Sequence, residues 1–263
     1  MDSQRPAAQF AAGSSALLVT AIHAGAAMRP ELEAICNLTP AERLREEDPF
    51  TNQWTTIADN RIVGLRSRFE VDLNRSRDKA IYRVPADCWG LDVWNGPLPD
   101  EEVNKSLAAY DDFYDVTAAL IERMLERHPY VMIYDLHSYN HQRQGSGIDD
   151  DLAGAPEINL GTANIDHSVW GPVLLVLRAA LLKGPDGRNY DVRDNVKFKG
   201  GYFSQWLNER YGPRVCPVAI EFKKTFMDEW TGRPDPQAIE RIHALLTTTI
   251  LPVMSATEAL AHA

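Results

Sequence analysis

A chain of 263 residues, 44% hydrophobic and 24% charged, is long enough for one large domain and apolar enough to bury a core. Its formal charge of −10 argues against a nucleic-acid partner, which needs a basic face, but leaves open a small anionic substrate that responds to the local field. Cys36, Cys88 and Cys216 are scattered without CxxC spacing, which suits reduced thiols and a cytoplasmic protein. No charged n-region followed by an apolar stretch opens the sequence, and its apolar runs fall short of the ~20 residues of a membrane helix. Neither a signal peptide nor a membrane partner is therefore expected.

Residues 1–14 are small, polar and without period, so a flexible N-terminus is expected, followed by one domain over residues 15–263. Ser15–Ile22 is an apolar run with the length of a buried strand, and it leads straight into His23-Ala24-Gly25. Thr39-Pro40 has the form of an N-cap with proline in the first turn, opening a short helix that ends in Glu46-Glu47-Asp48-Pro49. Taken alone, that acidic cluster reads as a solvated helix end. From Asn60 to Asn74 the alternation of Phe69, Val71 and Leu73 with Glu70, Asp72 and Asn74 predicts a half-exposed strand with Arg75 just past its end. Residues 76–99 carry Pro85, Trp89, Gly90, Trp94, Gly96 and Pro97, and suit an ordered wall or lid.

A long amphipathic helix is predicted over Asp100–Arg127, with Asp100 as its cap. Directly after it comes Tyr130-Val-Met-Ile-Tyr-Asp-Leu-His-Ser-Tyr-Asn140, an apolar strand ending in Asp135, His137 and Ser138. A histidine there is either a core residue satisfied by neighbours or a metal ligand. Further on, short strands are predicted near Glu157–Thr162 and Asp191–Val196, and helices over Val173–Lys183 and Ser204–Tyr211. Val215–Phe222 is a third buried strand, carrying Glu221 near its end, with Pro217 suited to an edge or an early position. A last helix opens at Asp235 or Pro236. The alternation of strands and helices predicts an α/β single domain with a mixed, mostly parallel central sheet flanked by helices.

In such a sheet the strand ends share one rim, where ligands bind. That rim collects His23, Asn74, Arg75, His137 and Glu221. Two histidines and a carboxylate suffice to hold catalytic zinc with one position left for water, and a further glutamate serves as general base. A fixed arginine grips a carboxylate through two parallel hydrogen bonds.

His23-Ala24-Gly25, Arg68 with Val71-Asp72-Leu73-Asn74-Arg75, Asp135-Leu136-His137-Ser138, Lys199-Gly200-Gly201-Tyr202 and Ala219-Ile220-Glu221 together resemble the N-formylglutamate amidohydrolase (deformylase) family, in order, over roughly residues 15–225. That family is a branch of the zinc carboxypeptidase-like superfamily. The resemblance implies a zinc carboxypeptidase-like, phosphorylase/hydrolase-like fold and hydrolysis of the amide of an N-acyl, chiefly N-formyl, amino acid such as N-formyl-L-glutamate. It implies zinc, or another divalent metal, on His23 and His137. Glu221 would act as the catalytic base, and Arg75 with Asn74 and Ser138 would bind substrate. The carboxypeptidase pattern has a glutamate three residues after the first histidine, and here that position is Ala26. The remaining ligand is therefore sought in the acidic helix end, with Glu47 preferred and Asp48 the alternative. A zinc carboxypeptidase, another N-acyl-amino-acid amidohydrolase and a non-catalytic carboxylate-binding protein are the competing readings.

Overall fold

The computed structural model describes residues 6–262. Their strands form one seven-stranded sheet: β1 Ala8–Ala11, β2 Leu17–Ala21, β3 Asn60–Gly64, β4 Val131–Tyr139, β5 Ile158–Gly161, β6 Val192–Asp194 and β7 Val215–Lys223. The order across the sheet is β1-β3-β2-β4-β7-β5-β6. Strands β3, β2, β4 and β7 are mutually parallel, while β1 and the β5–β6 pair run against them. The helices are α1 Pro30–Glu33, α2 Pro40–Glu46, α3 Thr51–Trp54, α4 Asp100–Leu125, α5 His167–Leu181, α6 Tyr202–Tyr211 and α7 Pro236–Ala259.

All nine residues of β4 and all nine of β7 are buried, as continuous apolar strands covered on both faces should be. Alternate side chains go to opposite layers. Met132, Tyr134 and Leu136 join the core beneath α5 and α7, whereas Val131 and Ile133 join the core beneath α4 and α6. Pro217 is the third residue of β7. Strand β5 covers β7 only from Ala219 to Phe222, so the proline lies outside that ladder and its missing N–H leaves no gap in it.

Four expectations are revised. Residues 8–11, placed in a loose terminus, form the antiparallel edge strand β1 on β3; residues 1–5 lie outside the described part. The strand predicted from Asn60 to Asn74 stops at Gly64, and Phe69–Leu73 forms a buried turn. Its acidic members are not solvated: Glu70 pairs with Arg29 and Arg66, and Asp72 with Arg68. Pro99, not Asp100, takes the cap position of α4. Finally, α7 is long and apolar enough to cross a membrane by length and composition, contrary to the estimate from apolar runs. Here its Ile239, Ile242, Leu245, Leu246 and Val253 face is part of the core, and Asp235 caps its first turn through the amides of Gln237 and Ala238.

Trp54 ties the segment entering β3 to this core. It is fully buried, lies 4.9 Å from the Phe222 ring and 5.0 Å from the Phe226 ring, and donates from Nε1 to the Ile239 carbonyl at 3.0 Å. Trp54→Ala is expected to cost about 3–5 kcal/mol, read as a lowered midpoint in chemical denaturation.

Candidate metal centre and active-site cavity

The carboxyl ends of β2, β4 and β7 and the C-terminal end of α2 converge on a cavity of about 250 Å³. Helix α2 is set by a capping box: the Thr39 hydroxyl accepts from the Glu42 amide while the Glu42 carboxylate accepts from the Thr39 amide. At its other end the Lys224 ammonium, one residue past β7, donates to the carbonyls of Arg45 (2.5 Å) and Glu47 (2.7 Å). A cation on the last carbonyls of a helix suits both their hydrogen-bonding need and the helix dipole. The chain then turns so that the Asp48 amide donates to the His23 carbonyl at 3.0 Å.

This delivers the Asp48 carboxylate between two imidazoles. Its Oδ2 lies 2.9 Å from His137 Nδ1 and 3.5 Å from His23 Nδ1, and its Oδ1 accepts from the Ser138 hydroxyl at 3.0 Å. Each ring is held from behind through Nε2, His137 by Asp135 (2.9 Å) and His23 by Asp72 (2.7 Å). Asp135 is in turn fixed by the Thr20 hydroxyl at 2.6 Å. Asp72 accepts from Arg68 (2.9 Å), from the Tyr82 hydroxyl and from the Asn74 amide (2.8 Å). Rings anchored on carboxylates through one nitrogen, with the other turned inward, are the usual support of metal-ligating histidines. His23, Asp48 and His137 offer ligand atoms all within 4.8 Å of one another, and among the described residues they are the one group able to hold a metal ion.

Charge follows the geometry. Burial pushes the Asp48 carboxyl up, but hydrogen bonds to His137 and His23 outweigh it and hold the group well below the usual carboxylate range. Burial pulls His137 down, but Asp135 and Asp48 raise it well above an ordinary imidazole. Protons on His137 thus stand where a cation fits. Glu221 pairs in register with His137 across β4 and β7, and burial raises its carboxyl to about 8, helped by Asp48 and Asp135.

The sequence-selected residues divide clearly. His23, His137, Asp48, Asn74, Arg75, Ser138 and Glu221 all line the cavity. Glu47, the preferred acidic residue, does not join the histidines: its carboxylate accepts from the Ser67 hydroxyl, and it is Asp48 that lies between the two imidazoles. At a helix end, adjacent side chains diverge, which charge pattern alone does not reveal. Ser138 is engaged by Asp48. The Asn74 side-chain oxygen accepts from the Phe203 amide at 2.9 Å in the first turn of α6, so it fixes the backbone beside Arg75. Sequence reasoning did not select Asp72, Lys224 or Asn159 as site residues. Asn159 pairs with Glu221 in register, and its amide clamps residues 196–198. A charged or amide residue inside an apolar strand or at its exit was the available signal.

Comparison with known proteins adds a family. A family model described as N-formylglutamate amidohydrolase matches residues 15–227. A crystal structure of N-formylglutamate amidohydrolase from Ralstonia eutropha JMP134 superposes with a TM-score of 0.64 at 17% identity, covering 98% of this chain and 97% of the other. A gene product of Agrobacterium tumefaciens gives the same TM-score and identity, covering 95% and 97%. At this identity the two structures speak for the fold. No curated protein matches.

The Glu221 shift has a measurable consequence in metal-free protein. Between about pH 4.5 and 8 the unfolded chain has released this proton while the folded chain keeps it, so wild-type stability falls with rising pH through that window. Glu221→Gln is expected to melt with the wild type near pH 4.5 and roughly 5 °C higher near pH 8.5, followed by calorimetry.

Proposed function

Because the chain belongs to the N-formylglutamate amidohydrolase family, we propose that it hydrolyses the amide of an N-formyl amino acid, N-formyl-L-glutamate being the leading substrate, to formate and the free amino acid. The observation that carries this reading is the buried Asp48 carboxylate between two anchored imidazoles, with Glu221 and Arg75 on the same cavity.

His23, Asp48 and His137 would hold a divalent metal, zinc being the ion that two imidazoles and one carboxylate suit best while leaving a position open. When bound, that ion supplies Lewis-acid polarisation of the formyl carbonyl and brings the pKa of water to about 7. Arg75 has a half-exposed side chain; its Nε lies 3.9 Å from Asp72 and it donates once to the Asp87 carbonyl at 3.3 Å, so further donors remain for the α-carboxylate of the substrate. Glu221, whose ionised form a divalent cation on the neighbouring ligands would favour, would then take a proton from the attacking water and deliver it to the α-amine as the formyl C–N bond breaks. Burial of its carboxyl raises its hold on that proton between the two transfers. Asp72 and Asp135 keep each imidazole turned inward, and Ser138 keeps Asp48 in place. The three free cysteines accord with a cytoplasmic setting.

Formate release from N-formyl-L-glutamate tests the proposal. The expected result is activity abolished by chelator and restored by zinc or another divalent ion. His137→Ala and Asp48→Ala are expected to lose bound metal by elemental analysis, and Glu47→Gln to keep it. Glu221→Gln should keep the metal and lose about 10²–10⁴ in kcat. Formate release indifferent to the chelator would overturn the metal reading.

A further inference from the structure

The cavity is lined by five cationic side chains, Arg68, Arg75, Arg143, Lys199 and Lys224, and three of them are already committed. Arg68 donates to Asp72 (2.9 Å), to the Tyr82 hydroxyl (3.2 Å) and to the Glu46 carbonyl (3.3 Å). Arg143 makes a two-pronged pair with the Glu46 carboxylate at 2.9 and 3.2 Å. Lys224 is buried on the end of α2. Arg75 is engaged only in part: it donates to the Asp87 carbonyl at 3.3 Å and its Nε lies 3.9 Å from Asp72, while its side chain stays 41% exposed. The Lys199 ammonium has no partner among the described residues, although its backbone is tightly fixed.

Three contacts fix it. The Lys199 carbonyl accepts from the Ala163 amide at 3.0 Å. The preceding carbonyl, of Phe198, accepts from the Asn159 side chain at 2.8 Å, and Asn159 is the register partner of Glu221. On the other side Gly200 has φ +107, a conformation that favours glycine, and Gly201 packs so closely that a Cβ there would lie 2.3 Å from Asn74 Oδ1. The backbone of Lys199 is thereby held between the strand pair that carries Glu221 and the Asn74-Arg75 turn. A fixed backbone with an unspent flexible cation, on the same cavity as the partly engaged Arg75, makes a two-point anion site.

We propose that Lys199 binds the side-chain carboxylate of the substrate while Arg75 holds its α-carboxylate, so that Lys199 sets the preference for acidic N-formyl amino acids. This deepens the amidohydrolase reading and rests on it. An ammonium suits this role because it follows a carboxylate on a flexible chain, whereas the α-carboxylate, next to the scissile bond, needs the fixed two-pronged grip of arginine.

The test compares N-formyl-L-glutamate with N-formyl-L-glutamine, which has the same shape without the second charge. Turnover and calorimetric binding are measured on the metal-loaded wild type, Lys199→Met and Lys199→Arg. Wild type is expected to prefer the glutamate compound by about tenfold to a hundredfold, the range of one hydrogen bond to a charged group. Lys199→Met should bring that ratio close to one, chiefly through KM, and Lys199→Arg should restore most of it. An unchanged ratio in Lys199→Met, or a wild type that does not discriminate, overturns the proposal. If the wild type binds both compounds with a Lys199-dependent preference yet cleaves neither, the carboxylate subsite stands and the amidohydrolase reading falls.

Discussion

The molecule is organised around one buried anion. The Asp48 carboxylate, 2% exposed, has no solvent to rely on and draws its compensation from His23, His137 and the Ser138 hydroxyl. A carboxylate left unpaired at that depth would cost several kcal/mol, so the elements that supply its partners must arrive together. Strand β2 brings His23, β4 brings His137 and Ser138, and Lys224 beyond β7 locks the helix end from which Asp48 projects. Thr51 completes the turn by donating from its hydroxyl to the Asp48 carbonyl at 2.6 Å. Strand order and charge compensation therefore constrain each other.

The cavity is electrically stratified. Asp48 and Glu221, which line it, and Asp72 and Asp135 behind the imidazoles are all buried, and set four carboxyl groups against two imidazoles, Arg68 and Lys224. The more exposed part of its lining is cationic, with Arg75, Arg143 and Lys199. Arg68 and Arg143 both lie over the Trp89 ring, at 4.8 and 5.6 Å, so one aromatic face serves two of the cavity's cations. A buried layer rich in carboxyl groups and a more exposed cationic lining would suit a metal ion and a substrate carboxylate without setting them in competition. A protein of net charge −10 can do this because only the local field matters at such depth.

Much of this was legible from pattern. Leu17–Ala21, Val131–Tyr139 and Val215–Lys223 are largely apolar strands, and the polar Thr20 and Asp135 within them hydrogen-bond to each other inside the sheet. His23, His137 and Glu221 lie at one rim because those strands are parallel. Two things were hidden. Phe69 to Leu73 alternates like a strand, but Glu70 and Asp72 are ion-paired inside, and period-two alternation cannot distinguish solvent from a buried arginine. Between Glu47 and Asp48 the choice depended on the direction of the chain at a helix end, which Lys224 decides from far along the sequence.

Both inward-facing ring atoms are Nδ1, and this limits how far each histidine reaches. Nδ1 is bonded directly to Cγ, whereas Nε2 sits across the ring, so a site built on Nδ1 lies closer to the backbone that supports it. The strand ends must crowd inward accordingly. After His23 the chain does so at Gly25, where a Cβ would come within 2.3 Å of the Leu65 backbone. In side-chain terms the short amide of asparagine imitates the inward atom of these histidines, and the longer glutamine imitates the atom that faces the rear carboxylates. Exchanging either histidine for one amide or the other therefore separates the two jobs that the ring performs at once: holding the centre, and being held from behind.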